Sequence, residues 1–263
     1  MEKDLGAGGS DVGRDLERDY GDEPAPAIRD APPDYLSPID ADAPVSGHVP
    51  APEAPGSATE SPEHDWEHAR GIIYPAFRPV GTQGIDLAAL DRDSLVARGS
   101  QSHAQPLIDA GPAGLPIVYT MDAGAFDIIV NGDHLLSWGI EPAALQDAAI
   151  ANLRAWSATA PWTDEASGER RLVSSDTGDG CDAVRILLPE VIEHLVAELG
   201  AYGRILVGIP ERHLLTAGSL RAGDEEFATL FSDFVVEQSG GADEPIDRRV
   251  FELVNGRLVE FSG

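Results

Sequence analysis

The chain has 263 residues, of which 42% are apolar, so it is long enough to form one or two domains with a hydrophobic core. Its formal net charge of -28 excludes nucleic acid and anionic membrane surfaces as expected partners, because binding to either requires a basic face. A single cysteine excludes an internal disulfide framework and a cysteine-based zinc cluster.

The first segment is a leader, residues 1–65, that is rich in proline and aspartate. Its first 60 residues contain nine of the 20 prolines, and 14 acidic side chains against four basic ones. Such a segment buries too little apolar surface to offset its conformational entropy, so it is predicted to be disordered. It also lacks the basic start and apolar stretch of a signal peptide, and a cytoplasmic location is therefore expected.

The folded domain is predicted to span residues 66–263 and to begin with short elements. The segment 71–81 (GIIYPAFRPVG) predicts a short strand at a sheet edge or an extended arm, because Pro75 and Pro79 cannot donate hydrogen bonds to a neighbouring strand. One or two helical turns are expected to start at Asp86. Nowhere does an apolar stretch approach the roughly 18 residues that a membrane-spanning helix needs.

Two segments further along predict β-hairpins. Residues 100–114 are expected to form a loop, and the segment 115–133 (LPIVYTMDAGAFDIIVNGD) then predicts two strands joined at 122–124. The last segment, 250–261 (VFELVNGRLVEF), carries Asn-Gly at 255–256, the dipeptide most typical of a two-residue hairpin turn.

Three segments between these hairpins carry apolar residues at helical spacing, namely 141–156, 189–200 and 224–241. Two further apolar segments, 182–189 (DAVRILLP) and 204–210 (RILVGIP), predict strands. Strands therefore occur in hairpins as well as between helices. This arrangement predicts a single α+β domain with a mixed, mainly antiparallel sheet and about three packed helices.

The segment 174–190 (SSDTGDGCDAVRILLPE) has the densest group of polar residues in the domain. It does not match a calcium-binding EF-hand loop, since a loop starting at Asp179 would have Cys181 and Ala183 where oxygen ligands belong. It does not match a phosphate-binding loop either, because a strand is predicted to follow it. Two interpretations stay open: a tight turn capped by its own aspartates, or a ligand site.

The candidate site residues follow from the second interpretation. Asp176, Asp179 and Asp182 are candidate ligands of a divalent metal ion, and Arg185 is a candidate counter-charge. His213 is a further candidate, because it follows a predicted strand end, where sites often occur. No other cofactor is predicted.

Known catalytic patterns are missing from the sequence. The chain has no nucleophile elbow, no dinucleotide-binding glycine pattern and no zinc-protease motif. Cys181 is not expected to act as a nucleophile, since flanking carboxylates disfavour the thiolate. No catalytic residue is therefore assigned, and the expectation leans away from an enzyme.

Five segments taken together resemble a known family: IVYTMDAGAFDIIVNGDHLLSWGI, ALQDAAIANL, DTGDGCDAVRILLPEVIEHL, ILVGIPERHLL and FELVNGRLVEF. Their order and spacing resemble the YtpQ-like family of bacterial proteins of unknown function, over roughly Ile72 to Phe261. The resemblance implies a soluble bacterial protein, and it implies no catalytic residue. The stretch most like a family hallmark is residues 178–180 together with Asp182 and Arg185, whereas the leader departs from the family pattern.

Three functions from different classes follow from these observations. The first is a non-enzymatic binding or regulatory domain for a protein partner or a small ligand. The second is a metal-assisted hydrolase that uses the carboxylates of the 174–190 segment. The third is an acidic accessory protein that neutralises a basic partner. The hydrolase requires a concave site on which the candidate residues converge, the binding domain requires an exposed apolar patch or sheet edge, and the accessory protein requires an acidic face without a pocket.

Overall fold

Two β-sheets and five helices form the part of the chain that the structure, a computed structural model, describes: residues 62–90, 93, 96, 104–124 and 126–263. Most of the predicted leader therefore lies outside the described residues. Its end forms a single 3-10 turn at Pro62–His64, and helix α1 (Trp66–Ala69) follows it. The fold is α+β, as predicted.

The first sheet is mixed and has five strands: β1 (Ile73–Phe77), β2 (Ile85–Asp86), β3 (Leu107–Ala110), β4 (Pro116–Asp122) and β5 (Asp127–Ile129). The strand order is β1-β4-β3-β2, with β5 also pairing β4. Strand β1, which contains Pro75, is at the edge of the sheet, the first of its two predicted placements, and β4 and β5 form the predicted hairpin. Only β2 and β3 run parallel among these described strands.

The loop predicted over 100–114 is partly wrong, because it contains β3. Leu107 in this strand is fully buried, and Asp109 and Ala110 pair with the start of β4. The apolar part of the segment is too short to give a periodic pattern, and Pro106 and Gly111 flank it like loop residues. Pairing with β4 overrides that local preference.

The second sheet is antiparallel and has six strands: β6 (Thr163–Ser167), β7 (Arg170–Ser175), β8 (Arg204–Glu211), β9 (Leu214–Leu220), β10 (Val250–Val254) and β11 (Arg257–Glu260). Their order is β11-β10-β8-β9-β7-β6. Strands β10 and β11 form the predicted hairpin, and Asn255 and Gly256 have the positive φ angles, 50° and 74°, that a type I′ turn requires.

After residue 104, the described part of the chain contains four helices, namely α2 (Gly132–Trp138), α3 (Pro142–Ser157), α4 (Pro189–Leu199) and α5 (Glu225–Gly241). The last three are the predicted ones. In α3 the apolar residues at helical spacing, Leu145, Ala149 and Leu153, are fully buried. No helix in the described part of the chain is long and apolar enough to cross a membrane.

The hydrophobic core joins both sheets with α2, α3 and α4. One continuous cluster of buried side chains contains Phe77 and Leu115 from the first sheet region, Leu153 from α3, and Val207 and Phe251 from the second sheet. A smaller cluster lies on the other face of the second sheet, where Phe231 and Val235 of α5 pack on Leu206 of β8.

The strand predicted at 182–189 is wrong: Ala183–Leu187 is a buried 3-10 helix. Four consecutive residues, 183–186, are buried, whereas a strand on a sheet surface buries alternate ones. A short apolar segment that is buried on all sides has no period that would separate strand from helix. This 3-10 helix places Arg185, whose side chain is 1% exposed, in the core.

Candidate functional site

A cleft of about 760 Å³ lies between the edge of the first sheet and the turns of the second. Strand β1, the β4–β5 hairpin, the end of α3, the loop after β7 and the β8–β9 turn each contribute side chains to it. The lining residues that carry charge or an aromatic ring are Tyr74, Arg78, Asp122, Phe126, Asp127, Trp156, Asp179, Arg212 and Glu244. Segments that are far apart in sequence thus meet at one concave surface.

Arg212 holds the walls of the cleft together from the β8–β9 turn. Its Nε donates to the carbonyl of Gly180 (3.1 Å), and its guanidinium forms ion pairs with Asp127 and Glu244 (Nη1–Oε2 3.4 Å). Its own carbonyl accepts from the amide of Ala183 (3.2 Å). Burial alone lowers the pKa of Arg212, but its ion pairs outweigh that effect, so the pKa is raised and the side chain stays charged.

The close contact with Arg212 explains the glycine at position 180. Gly180 has a φ of 80°, and a Cβ atom there would lie 2.5 Å from Nε of Arg212. The neighbouring Gly178 has nearly the same φ, 79°, yet a Cβ there would meet no atom within 4 Å. Both glycines suit the turn, but only Gly180 lets Arg212 approach the backbone.

Both arginines of the cleft are occupied by carboxylates. Arg78 lies 3.8 Å from Glu244, the acid that also pairs with Arg212. In contrast, Asp122 and Asp179 have no ion pair with any residue that the structure describes. Asp179 accepts a hydrogen bond from the indole Nε1 of Trp156 (3.2 Å), and Asp122 caps the backbone amide of Gly124 (2.7 Å). The cleft therefore has two carboxylates that no described residue pairs with a positive charge.

Three aromatic side chains stand beside these carboxylates. Phe126, near the tip of the β4–β5 hairpin, is 65% exposed, so its ring is accessible to a ligand in the cleft. Tyr74 and Trp156 are half-buried and line the same cleft. Burial raises the pKa of Tyr74, and the nearby Cys181 and Asp122 raise it further, so its hydroxyl stays protonated.

Cys181 is the only cysteine and lies at the bottom of the cleft, where it is 7% exposed. Burial raises the pKa of its thiol to about 12; the positive charge of Arg212 opposes this shift, and the negative charges of Asp182 and Asp127 add to it. The thiolate is therefore scarce at neutral pH, as the sequence led us to expect.

Behind the cleft, a buried hydrogen-bond network braces the loop after β7. Asp182 is fully buried and accepts from the hydroxyls of Ser175 (2.5 Å) and Thr177 (2.9 Å). Arg185, which is 1% exposed, donates from Nη1 to the same Ser175 hydroxyl (2.6 Å). The aspartate and the arginine are therefore bridged by one serine.

Arg185 also fixes the end of α3. Its Nε donates to the Ser157 hydroxyl (3.0 Å), and Nη2 donates to the carbonyls of Ser157 (3.1 Å) and Ala160 (3.3 Å). The guanidinium stacks over the ring of Trp162 at 3.9 Å and lies 5.7 Å from the ring of Trp156. Burial lowers its pKa to about 10, against an opposing effect of Asp182, which leaves it charged at neutral pH. Arg185 thus holds the helix end that carries Trp156.

The five residues singled out in the sequence do not form one site. Asp179 lines the cleft, Asp182 and Arg185 are buried behind it, and Asp176 is exposed on the loop. His213 lies in the β8–β9 turn but lines a separate hollow of about 420 Å³, and its Nδ1 is buried without a partner among the described residues. Within residues 62–90, 104–124 and 126–263, no three histidine, cysteine or acidic side chains are close enough to hold a metal ion.

Several residues of the cleft were not singled out from the sequence. Arg212 and Glu244 gave no signal, because each lies in a short connection with no motif around it. Phe126 gave a usable one: an aromatic residue next to a glycine-containing turn (DAGAFD) is a candidate for an exposed contact. Asp122 and Asp127 flank that same turn.

Comparison of the chain with protein-family models, with curated proteins and with solved structures gives no match.

Proposed function

We propose that this protein is a non-enzymatic binding protein whose cleft takes a positively charged group, an alkyl ammonium or guanidinium, from a partner protein or a small ligand. One observation carries the proposal. The carboxylates of Asp122 and Asp179 lie beside the rings of Tyr74, Phe126 and Trp156, in a cleft whose own arginines are already paired. Free negative charge next to aromatic faces favours a cation.

Each contact in such a site contributes a modest part of the binding free energy. A cation over an aromatic ring gains about 0.5–2 kcal/mol, depending on how far it is desolvated. A hydrogen bond to a carboxylate adds about 1.5–3 kcal/mol. The cation would enter a polar cleft that stays open to water, so the cost of desolvating the cation is smaller than in a closed core.

A titration with matched peptides tests the proposal. A short peptide of neutral polar residues with one central arginine is titrated into the full chain by calorimetry, beside the same peptide with citrulline, which keeps the shape and removes the charge. The arginine peptide is expected to bind at least about tenfold more tightly, a difference of 1.4 kcal/mol. Equal affinities for the two peptides would contradict a cation site.

Variants then locate the binding. Asp179→Asn and Asp122→Asn are each expected to weaken the arginine peptide, whereas Asp147→Asn is the matched control. Asp147 lies on the exposed face of α3, so its substitution removes the same charge away from the cleft.

The acidic accessory protein is a second candidate function, supported by the net charge of -28. It predicts a different result, because binding through diffuse charge is weakened equally by Asp147→Asn and Asp179→Asn, and it falls steeply with added salt. The metal-assisted hydrolase gains no support from Asp176, Asp179 and Asp182, which lie in three different environments.

Membership of the YtpQ-like family and a cytoplasmic location are also proposals. The order and spacing of five sequence segments support the first. A single free cysteine supports the second, because it suits a reducing compartment.

A further inference from the structure

Strand β6 is an edge strand of the second sheet with an open outer side. It pairs only with β7 among the described strands, and all five of its residues are exposed. The pair Ser167–Arg170 closes a two-residue turn, so Ser167 and Glu165 direct their backbone groups toward β7. The backbone groups of Asp164 and Ala166 therefore point away from the sheet, where a further strand would pair with them.

An apolar groove runs along this edge. Helix α5 packs on β8 and β9, and a groove lies between this helix and β6. The lining of this groove of about 340 Å³ includes the apolar side chains Leu172, Phe227, Leu230, Phe231 and Phe234. Its charged lining residues are Glu165 and two arginines, Arg170 and Arg171, which are both paired with carboxylates. Leu230 is 53% exposed there. An added strand would place alternate side chains over the groove, in contact with α5.

The charges on β6 decide which partner fits. Asp164 is paired with Arg171, whereas Glu165 has no ion pair with any residue that the structure describes. Two copies of the chain could pair through β6 in antiparallel fashion, with Asp164 of each copy opposite Ala166 of the other. This register would place Glu165 of one copy directly opposite Glu165 of the other. Like charges directly opposite are destabilising, so the strand disfavours its own copy.

We propose that β6 is a strand-addition site for an extended segment of another protein, with a basic residue opposite Glu165 and an apolar residue two positions to either side. The basic residue pairs with Glu165, and the apolar residues cover Leu230 and Phe234 in the groove. Main-chain hydrogen bonds to Asp164 and Ala166 provide affinity, and the alternate side chains provide specificity. This site uses other strands than the cleft and does not rest on the cleft's function.

The test uses the capped peptide Thr-Val-Thr-Lys-Thr-Val-Thr with the full chain, observed by NMR. Binding is expected to slow hydrogen exchange at the amides of Asp164 and Ala166. Ala166→Pro removes one outward donor without touching the pairs to β7, and it is expected to abolish binding. In an antiparallel pair with the lysine opposite Glu165, the amides of the third and fifth peptide residues face β6. The same peptide with N-methyl groups on these two residues cannot pair along the edge and is expected not to bind. If the methylated peptide bound as tightly as the parent peptide, strand addition would be overturned.

Reversing the charge at position 165 distinguishes a loss of specific pairing from a loss of folding. Glu165→Arg is expected to weaken the lysine peptide at least about tenfold and to favour the peptide in which glutamate replaces lysine. This gain cannot come from misfolding. Absence of exchange protection at the amides of Asp164 and Ala166 would overturn the proposal. A dimer in sedimentation that Ala166→Pro converts to monomer would also overturn it, because the segment bound at β6 would then be a second copy of the chain. Unchanged peptide binding in Asp179→Asn is expected, since that variant affects the cleft alone.

Discussion

The buried charges of Arg185 and Asp182 meet at a single hydroxyl, that of Ser175, which accepts from the arginine at 2.6 Å and donates to the aspartate at 2.5 Å. The serine thereby links the loop after β7 to the 3-10 helix and to the end of α3. A small polar residue in the middle of the core is thus more important than its size implies.

Ser175→Ala is expected to lower the free energy of unfolding by about 2–4 kcal/mol, because it leaves a buried carboxylate and a buried guanidinium each short of a partner. Denaturant unfolding of the variant measures the loss. Ser174→Ala is the control: its hydroxyl bonds Thr216 at the other face of the strand, and the expected loss is about 1 kcal/mol. Equal losses would contradict the special role of Ser175.

Arg185→Lys is expected to destabilise the protein by roughly 3–5 kcal/mol, because an ammonium cannot reproduce the planar set of donors or the stacking on Trp162. Arg154→Lys, at an exposed ion pair with Glu190, is the matched control and is expected to cost about 0–1 kcal/mol.

Melting of the parent protein with and without millimolar magnesium, manganese or calcium is expected to give the same midpoint. A metal-dependent rise that Asp179→Asn abolishes would instead favour the hydrolase.

Gly180→Ala and Gly178→Ala separate backbone strain from crowding. Both substitutions place alanine at a φ near 80°, which costs roughly 1–3 kcal/mol. Only Gly180→Ala also forces Arg212 to move, so it alone is expected to weaken the arginine peptide in the cleft. Calorimetric titration of both variants checks this, and equal binding would show that Arg212 does not shape the cleft.

Cys181 gives a pH dependence with a definite sign. Its pKa is raised from 9.0 to about 12 in the folded state, so the fold favours the protonated thiol. The corresponding stability is fully present below pH 9 and is lost as the pH rises toward 12. The free energy of unfolding is expected to fall across this window less steeply in Cys181→Ala than in the parent. Identical slopes would place the thiol in a less buried environment.

Replacing Asn255–Gly256 by Ala–Ala is expected to cost about 1–3 kcal/mol, because both residues have positive φ angles that alanine disfavours. Arg257→Ala, at an exposed position just after the turn, is expected to change the midpoint of denaturant unfolding little. An unchanged midpoint in the double variant would contradict the turn type.

The parts of the fold that were predictable are those in which a local pattern and the tertiary context agree. The Asn255–Gly256 turn and the apolar side of α4, with Val191, Leu195 and Leu199 buried, are examples. Strand β6 gave no such pattern, because its sequence TDEAS has no apolar alternation. Its conformation follows from pairing with β7.

The candidate site was less predictable than the fold. Asp179 was singled out from a dense polar loop, and it does line the cleft. Its neighbours Tyr74, Phe126 and Arg212 come from elements far apart in sequence, and only the packing of the two sheets brings them together. A spatial relationship of this kind leaves no spacing in the sequence to detect.

Arg212 contacts Gly180, 32 residues before it, and Glu244, 32 residues after it, in addition to Asp127 on the other sheet. None of these contacts is local, so each requires a large loop of chain to close first. In a chain emerging from the ribosome, the cleft cannot be complete until Glu244 has been synthesised, although both the β4–β5 hairpin and the loop after β7 are already present. The complete cleft should therefore arise late in folding, after the β4–β5 hairpin and the loop after β7 that form much of its wall.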